Sequence, residues 1–166
     1  MSALDQLYFG RPLLGRVDLI LIPDCPNAGK YIPEINRLSK AFGKQFEFRI
    51  VTCDPAFGPK QRAAWKQEFG ILPPITSVDD AQLPVRNEPW ISPTAVVWQN
   101  DKVAYVGRID DRFPKLGVQV APKDRTLQDV LARISAGEKP KQSYAPAVGC
   151  IIPKQFLPKT RAKDRK

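Results

Sequence analysis

Apolar residues fall along this chain in two rhythms. Short runs rich in β-branched and aromatic residues occupy 17–22 (VDLILI), 46–51 (FEFRIV), 94–99 (TAVVWQ) and 103–109 (VAYVGRI). Each is bounded by Pro, Gly, Asn or Asp, and each reads as a strand. Between them the spacing lengthens to three and four. From Asn27 or Gly29 to Phe42 the apolar positions are Tyr31, Ile32, Ile35, Leu38, Ala41 and Phe42, with Gly43 as the stop. Residues 60–69 repeat the pattern with Ala63, Ala64, Trp65 and Phe69 before Gly70, and 125–136 form a last helix closed by Gly137. Asn100-Asp101 joins the third and fourth runs with hairpin turn chemistry. Residues 71–90 are rich in Pro and Asp and leave the element open, and residues 1–16 form a lead-in with a short amphipathic piece. The predicted order is strand, helix, strand, helix, hairpin, helix. Two strands joined through a helix run parallel, so the sheet is mixed and the class is α/β.

Composition adds bounds to this outline. With 166 residues, 43% hydrophobic and 26% charged, the chain suits one domain with a single core and some extra chain. Seventeen prolines fall mostly outside the periodic segments, so connections and tails take a large share. We expect a domain over 1–137 and a Pro-rich, basic extension over 138–166 that carries Cys150. No apolar run reaches the length of a membrane span, and the N-terminus lacks the pattern of a signal peptide, so the cytoplasm is the default expectation. The net charge of +9 is uneven: from Glu138 onward there are eight basic residues and two acidic ones. The tail PKQFLPKTRAKDRK reads as a solvated terminus or as an arm for an acidic surface. It has no interleaved aromatics and no recognition motif for nucleic acid.

The chain has three cysteines and no histidine. Cys25, Cys53 and Cys150 are too few and too scattered for a structural zinc site. Without histidine, Ser-His and Cys-His pairs are excluded, and any reactive thiol must be activated by backbone, helix dipole, Lys or Arg. No organic cofactor or metal is implied. Cys25 is the informative one. It follows the first strand and opens the first helix, where N–H groups and the helix dipole favour a thiolate. Pro26 suits the first helical turn. Asp24 beside the sulfur opposes its ionisation and Lys30 favours it. Position 28, where a C-x-x-C motif has its second cysteine, is Ala28. Two readings stand: a nucleophilic thiol, or a relic in a fold used for binding.

Pro33 lies eight residues after Cys25, within the helix, and Ser92-Pro93-Thr94 directly precedes the hairpin. In both features the chain resembles thioredoxin-like proteins of the redoxin, or peroxiredoxin-like, thiol-disulfide oxidoreductase group. The stretches DCPNAGKYIPEINRL, VGRIDDRF and AVGC, the last at 147–150, add to the resemblance, which spans roughly residues 15–152. It implies a three-layer thioredoxin-like fold, with a mixed central sheet and flanking helices. It also implies a cis peptide at Ser92-Pro93 facing Cys25, and a backbone edge at Ser92 able to pair with a substrate peptide. Three departures stand against a plain transfer of activity. Ala28 replaces the resolving cysteine, Asp24 replaces the usual aromatic residue, and Asp18 and Ile22 occupy the positions of a peroxiredoxin's Pro and Thr or Ser.

The resulting expectation is a redoxin-type thiol oxidoreductase acting through Cys25 on protein disulfides or oxidised thiols. Pro26, Ser92, Pro93 and Thr94 would frame the substrate. Cys150, after a linker over 138–149 long enough to span a small domain at about 3.3 Å per residue, is a distal resolving cysteine or a small buried hydrophobe. Cys53, Lys30 and Arg108 are supporting candidates, although Cys53 reads more simply as packed. The cluster Arg108, Asp110, Asp111 and Arg112 reads as a salt-bridged loop or as shaping the site. Trp65, Trp90 and Trp98 read as core or lid aromatics. The alternative is a non-catalytic thioredoxin-like module, an accessory subunit docking through its Pro-rich and basic extensions.

Overall fold

A computed structural model describes residues 12–158; the first part of the lead-in (1–11) and the end of the basic tail (159–166) lie outside the described residues. Strand β1 (Gly15–Leu21) is followed by helix α1 (Pro26–Phe42), β2 (Phe46–Thr52), α2 (Pro59–Phe69) and β3 (Ile75–Ser77). Then come β4 (Ile91–Ser92), β5 (Thr94–Gln99), β6 (Lys102–Gly107), α3 (Thr126–Ser135), β7 (Tyr144–Ala145) and β8 (Cys150–Ile151). Six strands form one mixed sheet in the order β3-β2-β1-β5-β6-β7, and β4 pairs with β8 alone. β1 is central, parallel to β2 and antiparallel to β5, so Leu19 lies between Ile50 and Ala95. The strand over 17–22 was expected between the second strand and the hairpin, and it lies there.

Alternation along the strands builds two cores. Val17, Leu19, Leu21, Phe46, Phe48, Ile50, Ala95 and Val97 face one side, with Ala28, Tyr31, Ile32, Ile35 and Leu38 of α1 and Leu127, Val130, Leu131 and Ile134 of α3. Ile20, Val51, Val96, Trp98 and Val106 face the other, covered by Val78, Trp90 and Ile152 from irregular segments. The period of two in a strand puts neighbours on opposite faces, and the helical stripes fill the first face. Trp65, Trp90 and Trp98 are all buried. The hairpin turn at Asn100 and Asp101 has φ of 51° and 60°, the left-handed values that its two-residue connection needs.

The largest correction concerns residues 138–149, read as a linker. The chain there turns back over the strand ends. β7 joins the main sheet parallel to β6, pairing Val106 with Tyr144 and Gly107 with Ala145. Gly107 has φ of 154°, and a Cβ there would stand 2.0 Å from the Ala145 carbonyl oxygen, so only glycine admits this strand. β8 then runs antiparallel to β4, with Ile91 opposite Ile151 and Ser92 opposite Cys150. Two-residue strands show no period, so no local residue pattern announces them. Among the described residues no helix is long and apolar enough to cross a membrane.

Candidate active site

Cys25 is the N-cap residue of α1, with Pro26 at the first helical position. Its backbone turns there because its N–H bonds the Ile22 carbonyl at 3.1 Å, while its own carbonyl accepts from Ala28 N–H at 3.0 Å. The side chain is buried, 2% exposed. Ser92 meets it from β4. The Cys25 thiol donates to the Ser92 carbonyl oxygen at 3.2 Å. The Ser92 hydroxyl accepts from Ile22 N–H at 2.9 Å, which ties the end of β1 to the same corner. The Ser92–Pro93 peptide is cis, and Thr94 Oγ1 donates back across it to the Ile91 carbonyl at 2.6 Å.

The β4–β8 register brings Cys150 to this sulfur from far along the chain. Burial alone would raise the Cys25 thiol, but hydrogen bonds outweigh it and hold its pKa below the ordinary value of 9.0. They come from the Cys150 thiol, the Ala28 N–H, the Cys150 N–H and the Ser92 hydroxyl. Cys150 moves the other way. Burial, its hydrogen bond to Cys25 and the negative charge on that sulfur push it up to about 12. The two thiols are therefore unequal: Cys25 ionises more readily than Cys150. All three cysteines are in the free form.

The other candidates lie elsewhere. Cys53 is buried in the core on the opposite face of the sheet, and burial together with the charge of Asp79 pushes its thiol up to about 12. That is an inert, packed cysteine. The Lys30 ammonium lies over the Phe113 ring, 5.9 Å from its centroid. Arg108 is held by Asp124 at 2.7 Å and Thr126 at 3.0 Å. Hydrogen bonds, not a neighbouring cation, account for the lowered Cys25.

Two residues not singled out from the sequence hold Cys150 in place. Asn27, fully buried, donates to the Val148 carbonyl at 3.1 Å and accepts from Gly117 N–H at 3.0 Å. Gly149 lies so close to β4 that a Cβ would stand 1.9 Å from the Ser92 carbonyl oxygen. A polar residue in the first helical turn, between Pro26 and Ala28, was the available signal for Asn27.

Beside the segment that leads to Cys150, an open cleft of about 290 Å³ is lined by Tyr31, Arg108, Asp110, Asp111, Phe113, Pro114 and Val148. Tyr31 donates to Asp110 Oδ1 at 2.8 Å, and burial with that carboxylate raises the phenol. Arg112 forks onto Asp110 at 3.0 and 2.6 Å and stands over the Tyr31 ring. Burial opposes the charge of Glu34, yet Arg37, Arg125 and Arg112 hold its carboxyl below the usual value.

No family model matches this chain, and no curated protein does. Solved structures do. An uncharacterized conserved protein from Geobacillus kaustophilus superposes with a TM-score of 0.67 at 20% identity, over 90% of this chain and 79% of that one. A hypothetical protein from Sinorhizobium meliloti 1021 gives 0.67 at 15% identity, over 84% and 79%. A thioredoxin-like protein solved in its oxidized form gives 0.52 at 14% identity, over 80% and 86%. The chain has the thioredoxin-like fold. Within it, the thiol at the start of α1 faces a second thiol supplied by the C-terminal strand.

Proposed function

We propose that this protein is a thiol-disulfide oxidoreductase whose redox pair is Cys25 and Cys150. The observation that carries the reading is the pairing of Cys150 with Ser92, whose carbonyl accepts from the Cys25 thiol at 3.2 Å. The site thus has two thiols although Ala28 stands at the C-x-x-C position.

The Cys25 thiolate attacks one sulfur of a protein or peptide disulfide, R–S–S–R′. The Cys25–R bond forms, the S–S bond breaks, and R′–S⁻ departs and takes up a proton. While Cys25 is a thiolate, Cys150 is kept protonated by burial and by the hydrogen bond and charge of that sulfur. Formation of the mixed disulfide removes the last two influences, so Cys150 ionises more readily at the step that needs it. Its thiolate attacks the Cys25 sulfur, R–S⁻ departs, and the Cys25–Cys150 disulfide forms. The substrate gains two electrons and the pair loses them; an external dithiol resets the pair. Pro26, Ser92, Pro93 and Thr94 frame the sulfur in this scheme, and no cofactor takes part.

Incubation with glutathione disulfide tests the reading. Cys150→Ser should accumulate a Cys25–glutathione mixed disulfide, visible by mass spectrometry, while the parent protein passes through it to the internal disulfide. If both proteins leave Cys25 unmodified over hours, the site is inactive and the binding-module reading replaces this one.

A further inference from the structure

We propose that the segment 147–151 is a built-in occupant of the β4 edge, and that a partner's extended, cysteine-bearing peptide reaches Cys25 by displacing β8. The proposal rests on Cys25 being the attacking thiol, and it concerns how that thiol is reached.

β4 offers only a few backbone groups beside the sulfur, and this chain uses them itself. Ser92 faces Cys150, Ile91 faces Ile151, and Ile152 N–H donates to the Trp90 carbonyl at 2.8 Å. Gly149 presses on the Ser92 carbonyl, the group that also accepts from Cys25. Any peptide pairing with β4 needs the same groups, so self-pairing and partner pairing exclude each other. The arrangement accounts for the 2% exposure of Cys25 in spite of its position at a helix start.

The segment is built to open between two anchors. Ala145 on one side and Ile152 on the other are buried, while Val148 and Ile151 are 37% and 66% exposed. Pro146 and Pro153 flank the piece between, and neither can extend a ladder. A two-residue ladder with so little burial is among the cheapest parts of a fold to detach. Next to it lies a groove of about 220 Å³ lined by residues that include Pro89, Ile91, Tyr144, Ala147 and Ile151. The apolar residue after the cysteine and this apolar groove define the partner: an extended strand with a cysteine followed by apolar side chains, as in the strap itself.

Gly149→Ala is the direct lever, because a Cβ there would stand 1.9 Å from the Ser92 carbonyl oxygen and unseat the strap, while Cys25 itself is unchanged. In a Cys53→Ala, Cys150→Ser background only Cys25 reacts. Its alkylation by iodoacetamide and by a polyethylene-glycol maleimide is timed with and without Gly149→Ala. We expect both rates to rise about tenfold or more, the bulky reagent's most. A change below about twofold in both overturns the proposal. If circular dichroism shows that Gly149→Ala does not fold, Asn27→Ala, which frees Val148, takes its place: a rise of about 2- to 13-fold supports the proposal and unchanged rates overturn it. A labelled peptide Ala-Val-Gly-Ser-Ile-Ile should also bind the opened variant more tightly than its parent; equal binding counts against the proposal. The two readings fail separately. An internal Cys25–Cys150 disulfide with unchanged access to Cys25 removes the strap and keeps the redox pair. Increased access without that disulfide removes the redox pair and keeps the strap.

Discussion

Asn27→Ala separates the strength of the fold from the poise of the thiol pair. Its carboxamide is fully buried and makes two bonds, at 3.1 Å to the Val148 carbonyl and at 3.0 Å from Gly117 N–H. Both partners are exposed residues, so water replaces the lost bonds and no buried group is orphaned. The cost is then the net value of two hydrogen bonds, about 1–3 kcal/mol together. In a domain of this size that lowers the melting temperature by roughly 2–4 °C per kcal/mol. The bond to Val148 is the one that also holds the Cys150 segment over Cys25. Its share, about 0.5–1.5 kcal/mol, should lower the effective concentration of Cys150 at Cys25 by about 2- to 13-fold. The first quantity is read by thermal and urea unfolding. The second is read by equilibrating the protein in glutathione buffers and quantifying the Cys25–Cys150 disulfide. An unchanged disulfide equilibrium beside a lowered melting temperature would show that Asn27 braces the fold without placing Cys150. An unchanged melting temperature would refute the accounting of its bonds.

Further outcomes follow from the same geometry. Iodoacetamide should alkylate Cys25 with a pH profile that rises below that of free cysteine, and Cys150→Ala should move the rise upward, because a donor to the thiolate is lost. Glu34 has a folded pKa below its unfolded value of 4.5. The unfolded chain therefore takes up this proton first as the pH falls. The stabilisation is complete above the unfolded value and is lost as the pH falls through the folded one, so Glu34→Gln should flatten the acid limb of a stability profile from urea melts. Gly107→Ala drives a Cβ into the Ala145 carbonyl and should detach β7, at a cost of about 1–3 kcal/mol in urea unfolding. Cys53→Ala should leave the yield of the Cys25–Cys150 disulfide unchanged by mass spectrometry, since Cys53 lies in the other core.

Most of the fold was legible because its long elements repeat with one clear period. β1, β2 and the β5–β6 hairpin alternate, α1 and α3 carry apolar stripes, and Gly43, Gly70 and Gly137 follow the helix ends. Cys25 could be placed because a thiol between an apolar strand and a Pro-started helix has few alternative settings. The strands β3, β4, β7 and β8 are two or three residues long and are defined by their partners, so no local pattern announces them. For the same reason the segment before Cys150 read as a linker, and nothing in the residue pattern pointed to the pairing of Cys150 with Ser92. Lys30 looked like the cation that would lower Cys25. The orientation of a helix side chain depends on what packs against it, and Phe113, more than eighty residues away in sequence, receives this one. Asn27 and Gly149 matter through single contacts with distant backbone, which a linear pattern does not encode.

The central claim is that Cys25 and Cys150 form one redox pair across the β4–β8 strands. Oxidation of the reduced protein with a mild thiol oxidant, alkylation of what remains free, and digestion without reduction test it most directly. The account predicts one cross-linked peptide joining Cys25 to Cys150, with Cys53 recovered as the alkylated thiol. Recovery of Cys25 as a free thiol, in a link to Cys53, or only in dimers joined through Cys25 would contradict it.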